Sequence, residues 1–169
     1  MAPEVWLRGP IADIAPIFQP IAHALEQVRD DIRSLAPAVP TDVLWAERGA
    51  ATAGFHVLHL AGALDRLLTY ARGELLNDAQ RAAARAETVP HPEMDGRALA
   101  DHVSGAIDRA LAQVRATDPT TALDARPVGR AGLPSTMLGL LFHAAEHATR
   151  HAGQFITTVK IAMADTDTH

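Results

Sequence analysis

No cysteine occurs at any of the 169 positions, so neither a disulfide framework nor a thiolate metal site is available to this chain. Aromatic residues make up only 4% of the sequence, which leaves the core to aliphatic side chains. Lysine occurs once, at Lys160, and the net charge of −5 is spread without long runs of one sign. That pattern offers no electrostatic footprint for a nucleic-acid backbone and predicts no nucleic-acid partner. No apolar run approaches the roughly 20 residues needed to span a bilayer, and Met1-Ala-Pro-Glu4 lacks the basic and apolar regions of a secretory signal. These absences predict a cytoplasmic protein with no membrane partner. What is present, 48% hydrophobic residues in a chain of this length, suffices for one domain over residues 1–169.

Hydrophobic spacing then divides the chain. Pro3, Pro10 and Pro16 discourage a continuous helix over residues 1–19, which reads as a segment wrapped over the body and pinned by Trp6. From Pro20, the positions Ile21, Leu25, Val28, Ile32 and Leu35 mark a first amphipathic helix. Thr41 or Asp42 would cap a short turn carrying Leu44 and Trp45. Ala50 to Arg72 reads as a second helix, apolar on most sides and closed by Gly73. Asn77 or Asp78 would cap an extra short helix through Glu87. Asp95 opens a third long helix with a core face of Leu99, Val103, Ile107, Leu111 and Val114. Residues 119–134 read as a loop, and Ser135 would cap a final helix to about Ala164, leaving 165–169 as a tail. The expectation is all-α: a four-helix bundle with an extra short helix between helices two and three.

Chemistry concentrates on the final helix. His143, His147 and His151 recur every four residues, so each side chain lies about 40° round from the last and all three share one stripe. Buried imidazoles need partners, and a metal ion would supply one to several of them at once. Residues four apart stand roughly 6 Å from each other and can share an ion; residues eight apart are separated by roughly 12 Å of rise. The pair is therefore His143/His147 or His147/His151, with a third ligand from elsewhere. The second helix carries its own polar strip, Phe55, His59, Gly62, Arg66 and Tyr70, within about 80° of arc. On it Arg66 could hold an anionic group and Tyr70 could donate a proton, or each could serve as a structural partner, Arg66 to the neighbours of Asp65 or to a carboxylate across the bundle.

Two competing readings apply to the histidines. Core or interface histidines bonded to backbone or water would show the same spacing. His143-Ala-Ala-Glu-His147 also matches the H-x-x-E-H pattern of inverted zinc proteases, with Glu146 as base, although Glu146 lies well off the histidine stripe.

Two stretches, Gly54-Phe-His-Val-Leu-His-Leu-Ala-Gly-Ala63 and His147-Ala-Thr-Arg-His-Ala-Gly-Gln154, resemble the DinB/YfiT-like superfamily in order and separation. The resemblance implies a four-helix bundle, commonly a homodimer, with three histidines around a divalent metal such as zinc or nickel. Residue by residue it implies His59, His147 and His151 as ligands, His143 as a pocket residue and His56 as a neighbour. Ala152 stands where many members carry arginine. The implied function is a metal-dependent thiol S-transferase or hydrolase acting on a small-molecule substrate, such as a low-molecular-weight thiol. Tyr70, Arg66 and His143 are its candidate catalytic residues. The reading of another class is a non-catalytic dimeric stress or interaction module whose metal is incidental.

Overall fold

The computed structural model describes residues 3–166, with side chains as far as residue 164. Among them are six α-helices and no strand: α1 (Gln19–Leu35), α2 (Thr41–Leu44), α3 (Ala53–Ala71), α4 (Asp78–Ala86), α5 (Gly96–Ala116) and α6 (Met137–Thr166). The expected tail at 165–169 lies largely outside the described residues. No described helix is long and apolar enough to cross a membrane.

The long helices form where the apolar spacing put them. Ile21, Leu25, Val28 and Ile32 of α1 are buried, as are Leu99, Val103, Ile107, Leu111 and Val114 of α5. Each such residue contributes about 1.5–3 kcal/mol when fully removed from water. α3 packs on α6 and α5, and α1 packs on the same two, so the four long helices close a ring around one apolar cluster. α3 to α6 is the most extensive of these contacts, and it is the one that brings the two histidine-bearing strips together.

Caps fix where the helices begin. The Thr52 hydroxyl accepts from the Phe55 N–H and starts α3 at Ala53, three residues later than expected. Asn77 and Gln80 form a reciprocal capping box on α4, and Asp95 accepts from the Ala98 N–H at the start of α5. Gly73 takes φ +79°, a left-handed conformation costly to other residues, and ends α3 with its N–H on the Tyr70 carbonyl.

Several local expectations are corrected. Trp6 is 62% exposed and does not pin the N-terminal segment; Val5 is buried instead, and its N–H donates to Gln27 Oε1 of α1. The large indole finds no apolar recess there, whereas the compact valine does. The segment is held further by the Gln19 amide, which bonds the Ile11 N–H and the carbonyls of Ile11 and Ile14. α2 has Pro40 at its N-cap with no side-chain cap, so Thr41 and Asp42 lie inside its first turn. Two short helices, α2 and α4, accompany the long ones where one was expected. Thr136, not Ser135, caps α6, accepting from the Gly139 N–H at 3.0 Å. The 119–134 loop contains a 3-10 turn, Pro119–Thr121, and the bridges Ala125 to Thr136 and Val128 to Leu133 fold it back on itself.

Candidate metal centre

α3 contributes His59 and α6 contributes His147 and His151, one turn apart. Each offers one ring nitrogen, and the three atoms lie within 4.8 Å of one another. The Nε2 atoms of His59 and His147 are 3.1 Å apart. Three nitrogens on one tetrahedral ion with bonds of about 2.0–2.1 Å stand roughly 3.4 Å from each other, so the group could hold such an ion with small ring rotations.

The surroundings suit neutral, ligating imidazoles. Burial, reinforced by the neighbouring imidazoles and by Arg150, lowers both His147 and His151 from the ordinary 6.5 to about 4. Burial first, and then His59, lowers His56 as well. Each of these rings is therefore unprotonated at neutral pH, with a lone pair available. Nδ1 of His147 is buried without a partner, which leaves Nε2, facing His59, as the nitrogen through which that ring is engaged. His151 lies with Nδ1 3.2 Å from Nδ1 of His56. A proton on His151 Nδ1 donated to His56 leaves Nε2 of His151 bare.

His59 is held from behind. Its Nδ1 lies 2.9 Å from Oε2 of Glu87, a residue only 7% exposed just past the end of α4. Arg66, two turns further along α3, donates through Nη1 to Oε1 and through Nη2 to Oε2 of the same carboxylate. Burial works to raise the Glu87 pKa, but hydrogen bonds from His59 and Arg66 outweigh it and hold the group below the usual carboxylate range. Phe55 stacks on the His59 ring, centroids 5.2 Å apart and planes 14° from parallel.

The remaining predicted residues take other places. His143 is half exposed, with Nδ1 3.3 Å from Glu146, and its ring centroid is 5.6 Å from that of His147; it borders the group without joining it. Glu146 is gripped by Arg150 at 2.6–2.9 Å, so it is not a free base beside a His143/His147 pair, and the inverted-protease reading falls. Arg66 is committed to Glu87. Tyr70 is partly buried against the core and is separated from His59 by about 16 Å of helix rise, which keeps it out of the cluster.

Glu87 is the residue that sequence reasoning missed. Its only signal was indirect: Arg66, on an otherwise apolar helix, needs an anion, but nothing in the spacing says which of the acids folds back to meet it. The His59 side chain is 25% exposed. A cavity of about 510 Å³ lies against Phe55 and Glu87, and an open groove of about 480 Å³ reaches His56 and Arg150.

A search among curated proteins finds no match. A family model of the DinB superfamily matches residues 24–155, a span that begins in α1, takes in every residue of the histidine cluster and covers well over half of the chain. On that match the chain belongs to the DinB superfamily.

Proposed function

We propose that residues 1–169 form one domain, a four-helix bundle of α1, α3, α5 and α6, in which His59, His147 and His151 bind one divalent ion, zinc or nickel. The observation that carries this is the meeting of three imidazole nitrogens from two helices within 4.8 Å. An ion held by three histidines has open coordination positions and supplies a Lewis acid that makes a nucleophile of water or of a thiol near neutral pH. The chain's own residues orient and shield: Glu87 fixes the His59 ring, Phe55 covers one of its faces, and His143 stands at the rim where a substrate would enter. This supports a metal-dependent thiol S-transferase or hydrolase whose substrate is a small molecule, such as a low-molecular-weight thiol, in a protein we place in the cytoplasm.

The test is elemental analysis of protein purified without a metal-binding tag, followed by turnover against a panel of thiols and electrophiles. One zinc or nickel per chain with metal-dependent consumption of a thiol supports the reading; a chain that takes up no divalent ion overturns it.

A second reading rests on Phe142, which is 62% exposed beside an apolar groove formed with Pro20, Ile21, Ala24 and Ala145. Such a surface favours a non-catalytic homodimeric module, for which dimerisation would persist after the metal is stripped and no thiol would be consumed.

A further inference from the structure

The strongest feature outside the three histidines is the path by which one carboxylate reaches them. Glu87 does not belong to either histidine-bearing helix. It approaches from the end of α4, crosses α3 at Gly62, and places one oxygen on His59 Nδ1 and both on Arg66. The crossing is possible only because position 62 has no side chain. A methyl group there would overlap Glu87 Oε1 and stand 3.0 Å from Glu87 Cδ and 2.8 Å from Arg66 Nη1. Gly62 therefore sits in the middle of a helix, where glycine costs about 1 kcal/mol relative to alanine, at the one place where the carboxylate passes.

The chemistry of the contact is directional. A carboxylate paired with a guanidinium is ionised and only accepts, so the hydrogen between it and His59 belongs to Nδ1. A neutral imidazole protonated at Nδ1 has its lone pair at Nε2, the atom that faces His147 at 3.1 Å. Arg66 cancels the carboxylate charge, so that Glu87 sets the tautomer of the ring without leaving an unpaired anion under the site.

We propose that Glu87 is a positioning residue for the metal centre: carried over the Gly62 notch and fixed by Arg66, it locks His59 in the Nδ1–H tautomer and aims Nε2 at the ion. The inference rests on the metal-binding reading above. It adds a role for α4, the short helix whose end delivers the carboxylate, and it explains a glycine inside α3.

The experiment measures zinc affinity of the full-length protein by competition with a chromogenic chelator, together with the nitrogen-15 spectrum of the metal-free histidines. Glu87→Ala should weaken zinc binding by about 10–100-fold while keeping one ion per chain, as loss of an outer partner of a ligating histidine does. Glu87→Gln, which retains an acceptor for Nδ1–H, should recover part of that loss. Because Glu87→Ala strands Arg66 and can unfold the chain, Gly62→Ala is the companion: it keeps every charge, favours the helix, and should weaken zinc binding to the same degree by displacing the carboxylate. The Gly62→Ala/Glu87→Ala double variant should be no weaker than Glu87→Ala alone, since the methyl then has room. In the spectra, His59 should be protonated at Nδ1 in the wild type and shift toward Nε2–H in Glu87→Ala and Gly62→Ala, a change that a purely structural role would not produce. Wild-type zinc affinity in folded Glu87→Ala and Gly62→Ala, or an unchanged His59 tautomer, overturns the positioning role and leaves the metal reading standing. A wild-type protein that binds no zinc overturns both.

Discussion

Nε2 of His59 on α3 and Nε2 of His147 on α6 approach to 3.1 Å across 88 positions of sequence. Two imidazole nitrogens at that distance are stable only with a proton or a cation between them, because two lone pairs facing each other repel. Removing one side of the contact should therefore remove the site. His147→Ala should abolish stoichiometric zinc or nickel, whereas His143→Ala, at a half-exposed ring paired with Glu146, should leave metal content at the wild-type level. Elemental analysis of the two variants side by side checks this, and equal metal content in both would remove the case for the three-histidine site.

Acid should undo the centre from within. His147 and His151 titrate near 4 in the folded protein against an ordinary 6.5, so below 6.5 the unfolded chain binds protons that the folded one refuses. Their contribution to stability is present above 6.5 and is lost as pH falls through 4. Thermal melts of metal-free protein should show a midpoint that declines steadily from pH 6.5 to pH 4, beyond the decline of a His147→Ala/His151→Ala variant. Parallel curves for the two proteins would contradict the lowered values.

Phe155 lies one turn past His151 and has no exposed surface. Phe155→Ala should destabilise the fold by about 3–5 kcal/mol through lost burial and the cavity left behind. Urea denaturation measures it, and a loss below about 1 kcal/mol would mean that the ring of helices is more loosely packed than described.

Gly96, at the start of α5, faces the carbonyl group of Ala36, with Pro37 N only 3.3 Å from where a β-carbon would stand. The obstacle is backbone rather than a movable side chain, so Gly96→Ala should cost about 1–3 kcal/mol even though alanine favours helices. A neutral or stabilising effect in the same denaturation assay would show that the α1 to α5 connection yields easily.

Helix content was readable along the chain because it depends on local quantities. The four-residue spacing of Ile21, Leu25, Val28 and Ile32, the caps Asn77 and Asp95, and the left-handed Gly73 each act within a turn or two of their own position. So does the histidine stripe, since residues four apart on a helix must share a face. Trp6 marks the limit of composition-based reasoning: its size suggested an anchor, but only the surface of α1 decides that Val5 fits and the indole does not.

Spacing alone, then, determined that His143, His147 and His151 lie on one side of one helix, and that His59 lies on a polar strip of another. Which two of the three face His59, and which acid stands behind it, were decided by the packing of α3 on α6 and by the passage of Glu87 over Gly62. The reason is physical: periodicity sets the direction of a side chain around its own helix axis, whereas the distance between side chains on different helices depends on how the helices dock and on where a residue without a β-carbon lets another chain segment through.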